Sequence, residues 1–206
     1  GPYKFVEWVP LDHWTIERFD EYVDGPALAS KITCNIIPEA GNRCIALETG
    51  EADIALRLSE IDVPNVENNP DLIAHAEVGA SIEFMGMNCE SEYFDDVRVR
   101  QALVYAIDRN MILEQLLKGQ GEIVDGFLSS ASPFFDEEIA PMTYDLEKAK
   151  SLLAEAGWDG SKTLKFYVNS GDSTFVNAAQ VMAAQWAMAG IKVEVQTVDL
   201  ATLMTI

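Results

Sequence analysis

Apolar and polar residues alternate from the first positions of the chain. Tyr3, Phe5 and the Val6/Trp8 pair, then Trp14, Ile16 and Phe19, follow the two-residue period of half-buried strands. Pro10-Leu11-Asp12 between them predicts a turn, so the opening reads as a hairpin. After Gly25-Pro26, Ile32, Cys34 and Ile36 alternate again until Pro38. Over 42–49 the period becomes helical, with Cys44, Ile45 and Leu47 on one face and Gly50 as a left-handed stop. Ile54-Ala55-Leu56 reads as a buried strand that completes a strand–helix–strand unit. Beyond the polar stretch 65–70, Leu72-Ile73-Ala74 and residues 81–88 are expected as two further strands.

From Asp95 the pattern is helical. Asp95 suits an N-cap, and Val99, Ala102, Leu103, Ala106 and Ile107 form one apolar stripe. Asp108 predicts a second helix over 109–118 closed by Gly119, and Asp145 a third over 146–156 closed by Gly157. Leu164, Phe166 and Val168 alternate, Ser173 or Thr174 opens a helix running to Ala189, and Ile191, Val193 and Val195 alternate after Gly190. That order predicts a parallel βαβ unit with a right-handed crossover. Asp199 caps a last helix in which the chain stops. With no initiator Met and no basic-then-apolar leader before Gly1-Pro2-Tyr3, the expectation is a segment cut from a longer protein.

Composition narrows the functional classes. In 206 residues, 49% apolar and 9% aromatic, there is material for a real core. Fourteen Lys and Arg against 34 Asp and Glu give a formal charge of −20, a field that repels phosphate backbones and anionic lipid, so no nucleic-acid partner is expected. No apolar run approaches the ~20 residues of a membrane span. Cys34, Cys44 and Cys89 show neither a CxxC nor a His-containing metal spacing, and read as small buried apolar residues, with one disulfide plus a free thiol as the alternative.

Templates for catalysis fail on residue type or spacing: there is no GxSxG, HExxH, P-loop or glycine-rich dinucleotide turn. His13 and His75 are the only histidines, too far apart to suggest a triad or metal site. Asp95-Asp96 and Glu137-Glu138 are paired carboxylates, but the first pair sits where negative charge suits a helix start. Arg98, Arg100, Asp108 and Arg109 read as surface ion pairs, and Trp186, beside Val181 and Met182 on an apolar helix, as core.

Five stretches resemble the bacterial extracellular solute-binding proteins of family 5, the oligopeptide-, dipeptide- and nickel-binding components of ABC importers. They are Gly1-Pro2-Tyr3-Lys4-Phe5 with Trp8 and Glu17-Arg18; Ile36-Ile37-Pro38-Glu39-Ala40 with Arg43 and Ala46-Leu47-Glu48-Thr49-Gly50-Glu51; Phe94-Asp95-Asp96-Val97-Arg98-Val99-Arg100-Gln101-Ala102-Leu103 with Ala106-Ile107-Asp108-Arg109; Tyr144-Asp145-Leu146-Glu147-Lys148-Ala149-Lys150; and Gly190-Ile191-Lys192-Val193-Glu194-Val195. The resemblance implies an α/β, two-lobed fold of the periplasmic-binding type II kind, here incomplete. Residues 1–93 correspond to the later segment of lobe I and 94–206 to the first part of lobe II.

The same resemblance implies a receptor without catalytic residues, metal or cofactor. It would capture peptides outside the cytoplasmic membrane, in the periplasm or as a surface lipoprotein, and deliver them to ABC permease subunits. Of the family's cleft-lining parts, Phe84, Met85, Gly86, Met87 and Asn88 stand where it has Y-x-G-F-N, and the loop 129–135 accompanies them. Phe84 for Tyr and Met87 for Phe are departures that leave the ligand class open. Gly86 would let a peptide backbone approach and Asn88 would offer a donor and an acceptor; alternatively Gly86 permits tight packing and Asn88 ends a strand. The rival functions are a nickel or other small-solute receptor, a signalling receptor domain on the same lobes, and an acidic hydrolase using Asp95 and Asp96.

Overall fold

The computed structural model describes residues 1–206, which divide into two compact units, Gly1–Ala74 and His75–Ile206. In the first unit, β1 (Tyr3–Val9), β2 (His13–Arg18) and β3 (Lys31–Asn35) form an antiparallel sheet in that order. Phe5 pairs with Ile16 and Glu7 with Thr15, so Val6 is one extra residue on β1. That bulge turns Phe5 and Trp8, three apart in sequence, to the same face as Trp14, Ile16, Ile32 and Cys34. Phe5 and Trp8 nevertheless remain 68% and 64% exposed.

Helix α1 (Ala40–Glu48) follows, with Gly50 at φ 73°, and then the short α2 (Val63–Glu67), whose Val66 is fully buried. Three expected strands are not formed. Residues 54–56, 72–74 and 81–88 carry no ladder, and Ile54, Leu56 and Ile73 are 78%, 70% and 92% exposed. An apolar run sets a side-chain period but not a partner, and no strand of either sheet pairs with these segments. The strand–helix–strand unit therefore stays open. Residues 73–87 make no backbone–backbone hydrogen bond at all.

The second unit contains α3 (Val97–Tyr105), α4 (Arg109–Met111) continuing into a π turn at Ile112–Leu116, α5 (Leu146–Glu155), β4 (Thr163–Asn169), α6 (Ser173–Met188), β5 (Lys192–Val198) and α7 (Leu200–Leu203). β4 and β5 pair in parallel from Thr163↔Lys192 to Asn169↔Val198 around α6, as the βαβ reading requires. Where the sequence predicted one regular helix over 109–118, Leu117 N–H donates to Ile112 O, five residues back; side-chain periodicity does not separate a single wide turn from an α ladder.

Caps set the helix starts. Asp108, Asp145 and Asp199 accept from backbone N–H groups as expected, and Asp172 caps α6 just before the predicted Ser173. At α3 the cap is Asp96, not Asp95: Asp96 Oδ1 accepts from Arg98 N at 2.8 Å. Asp95 takes part only through its backbone, its carbonyl accepting from Arg100 and its amide donating to Ser91 O.

The closing turn of α3 leaves no orphan acceptor. Ala102 and Val104 carbonyls accept from Ala106 and Ile107 amides, Leu103 O from the Trp186 indole at 2.9 Å, and Tyr105 O from Asp145 N at 2.8 Å. The neighbouring Asp108 N–H donates to Gln185 Oε1. Two adjacent residues of α6 thus hold the α3–α4 junction while Leu103, Ala106, Leu153, Leu164 and Ile191 close the core around Trp186. Of the cysteines, all free, only Cys44 is buried; Cys34 is half-buried and Cys89 exposed, which corrects the reading of all three as core residues. No helix is long and apolar enough to cross a membrane.

Asp96 provides a first test. Hydrogen bonds from the Arg98 side chain and amide hold its carboxyl at about 2, against an ordinary 3.8. A depressed folded pKa means that Asp96 stabilises the fold above pH 3.8 and that this contribution is lost as pH falls through about 2. Asp96→Ala is expected to lower Tm by about 2–4 °C at neutral pH, with the gap to the parent closing across that acid window, while Asp95→Ala changes little. Thermal melts of the three proteins from pH 7 to pH 2 would check it, and a larger loss for Asp95→Ala would return the cap to that residue.

Candidate ligand-binding site

The expected site segment lies along the free side of β4. Glu83 feels the Asp172 carboxylate beyond the C-terminal end of β4, while Glu92 and the Tyr93 ring meet Lys162 before its start, at 3.7 Å and 4.8 Å. Residues 83–92 therefore run opposite to β4. Met85 and Met87 face inward onto the core, and with Gly86 they border a small cavity of about 50 Å³ against Phe166 and Trp186. Burial, and then Asp172, push the Glu83 carboxyl above its ordinary range.

The five residues fare differently. Phe84 is 71% exposed and meets Phe127 edge to face, ring centroids 6.1 Å apart. A Cβ built on Gly86 would find no atom within 4 Å, so within this chain the glycine relieves no close packing. Asn88 closes the segment: its Oδ1 accepts from Glu90 N and its carbonyl from Ser91 N, each at 3.0 Å. That leaves the amide nitrogen of Asn88 facing outward as a donor.

Phe127 leads to a larger feature. Between α4 with its π turn and α5, residues 120–143 form a long connection without regular structure, a length that in a compact domain usually carries function. Side chains hold it in place. Arg109 donates to Val124 O, Asp125 Oδ1 and Met142 O at 3.0, 2.6 and 2.8 Å, tying both arms of the loop to the start of α4. The buried Ser129 hydroxyl donates to Gly79 O at 2.7 Å, fastening the loop to the segment that carries Phe84. Ser130 donates through hydroxyl and amide to Glu122, holding that carboxyl below its usual range.

Within the loop lies a pocket of about 240 Å³, walled by Ile123, Phe127, Phe134 and Ile139, with Asp136 and Glu137 at its edge. The sequence pointed to 129–135; of that stretch only Phe134 and Phe135 line the pocket, and the other wall comes from 123–128. Of the arginines read as surface ion pairs, Arg98 pairs with Asp96 and Arg109 with Asp125, each at 2.6 Å, and the arginines also clamp carbonyls: besides Arg109, Arg98 reaches Glu155 O and Arg100 reaches Phe94 O, at 2.7 and 2.6 Å. No three His, Cys, Asp or Glu side chains gather as a metal site; His13 pairs with Asp12 and Glu7, which raise its pKa.

The model of the bacterial extracellular solute-binding proteins, family 5 (middle), matches residues 1–205, and the chain belongs to that family. It is 32% identical to the oligopeptide-binding protein AppA of Bacillus subtilis over 221 aligned residues, 99% of this chain and 40% of that protein. It is 29% identical to heme-binding protein A of Haemophilus influenzae, covering 93% of this chain and 36% of that protein. The solved structure of the Bacillus subtilis AppA in complex with a nonapeptide superposes with a TM-score of 0.80 at 30% identity, covering all of this chain and 43% of that one. The fold is thus α/β of the type II periplasmic-binding kind, and the chain spans about two-fifths of the length of these relatives.

Proposed function

We propose that these residues form the later segment of lobe I (1–93) and the first part of lobe II (94–206) of an extracytoplasmic receptor that captures peptides for an ABC importer. The receptor works in the periplasm or as a surface lipoprotein, its partners are the permease subunits, and its action is binding and closure without chemistry. The observation that carries this reading is the Phe84–Phe127 contact, which joins the segment expected to meet ligand to the wall of the pocket in the 120–143 loop. The unpaired backbone of 80–87 supports it, because free backbone N–H and C=O groups are what an extended peptide pairs with. A paired-carboxylate hydrolase is disfavoured by Asp96, whose carboxylate is already engaged by Arg98 and the α3 amide.

Calorimetric titration of short mixed peptides into the receptor that contains these residues is expected to give a saturable binding isotherm. Asn88→Ala should weaken binding by about 1–3 kcal/mol, the cost of leaving a ligand carbonyl without its donor. Unchanged affinity in Asn88→Ala would remove Asn88 from the site, and absence of any peptide isotherm would overturn the peptide reading.

A further inference from the structure

We infer that the pocket in the 120–143 loop is a selectivity subsite for an apolar peptide side chain, aromatic or long aliphatic, flanked by a lysine or arginine. The inference rests on the peptide-receptor reading and adds a ligand class to it. At about 240 Å³ the pocket suits one large side chain and not a folded partner. Phe127 and Phe134 stand 78% and 81% exposed on opposite arms of the same loop, which leaves two aromatic rings with apolar surface for a ligand to cover.

The rim selects for charge. Asp125, Asp136 and Glu137 border the pocket, and the only cationic side chain bonded to any of them is Arg109, on Asp125. Asp136 uses one oxygen to accept from Glu138 N, leaving the other outward. An occupant that buries its apolar part between Phe127 and Phe134 brings the next residue of its chain to this rim. There a lysine or arginine gains carboxylate and ring-face contacts and a glutamate meets repulsion. The −20 net charge draws the same class of peptide in from solution.

Three tetrapeptides with identical termini separate the contributions by calorimetry on the receptor containing these residues: Ala-Phe-Lys-Ala, Ala-Phe-Glu-Ala and Ala-Ser-Lys-Ala. The first is expected to bind roughly tenfold tighter than either of the others, with its advantage over the glutamate peptide shrinking severalfold between 50 mM and 500 mM NaCl. Asp136→Asn with Glu137→Gln, both on exposed loop positions, should erase the lysine-over-glutamate preference and keep the preference for phenylalanine. Gly126→Leu should erase the phenylalanine preference, because a Cβ at Gly126 already comes within 3.1 Å of Ile139 Cδ1 and a longer side chain takes up the pocket. Equal affinity for the three peptides, or preferences that survive both replacements, would overturn the subsite while leaving a peptide receptor; failure of every peptide to bind would overturn both.

Discussion

Trp186→Ala is expected to destabilise the second unit by about 3–5 kcal/mol, most of the stability an ordinary domain possesses. The indole is 2% exposed, packs edge to face on Phe166 with centroids 5.4 Å apart, and donates to Leu103 O at 2.9 Å. Truncation opens a cavity between α3, α6 and β4 and at the same time strands the carbonyl it was satisfying. Trp186→Phe separates the two effects: it retains much of the apolar volume but not the donor, so a smaller loss of about 1–3 kcal/mol is expected. Urea unfolding followed by far-UV circular dichroism measures both, and equal midpoints for parent and Trp186→Ala would mean that the core is not organised around this residue.

Arg43→Lys, conservative in charge, is expected to cost the first unit about 1.5–3 kcal/mol. The guanidinium donates from Nε to Leu56 O at 3.0 Å, from Nη1 to Ile37 O and Pro38 O at 2.7 and 2.6 Å, and from Nη2 to Arg57 O at 2.6 Å. Four carbonyls from both sides of α1 converge on one planar fork. A lysine ammonium has three donors on a single atom and cannot span them. Thermal melts, with limited proteolysis as a probe of 52–62, would show an early transition and new cleavage in Arg43→Lys; identical melts and digestion would mean that charge alone suffices there.

The helices were legible in the sequence because their instructions are local. A carboxylate at the cap, a stripe at the helical period and a glycine at the exit all lie within one segment, and the slips at the starts of α3 and α6, Asp95 for Asp96 and Ser173 for Asp172, are choices between adjacent residues. The hairpin and the βαβ unit were legible for the same reason, since turn or crossover joins neighbouring strands. Residues 54–56, 72–74 and 81–88 were not, because pairing is decided by what lies alongside and not by the alternation within the run. At the site, the 84–88 segment came from resemblance, whereas the pocket's second wall did not: loop side chains such as Phe127 and Ile139 obey no period. The ion pairs of Arg98 and Arg109 agree with the charge pattern, but the backbone carbonyls these arginines also reach, up to 57 residues away, no charge pattern can reveal.

The unpaired stretch 73–87 also bears on how this chain avoids its own kind. A length of backbone with open donors and acceptors, carrying Ile82, Phe84 and Met85, is a template for edge-to-edge association between copies and so for aggregation at high concentration. Here the hazard is met with charge. Glu77 and Glu83 interrupt the apolar run, Glu90 and Glu92 follow it, and every copy repels the next through a net charge of −20. The acidity that distinguishes this sequence thereby keeps its open backbone from being filled by a neighbour.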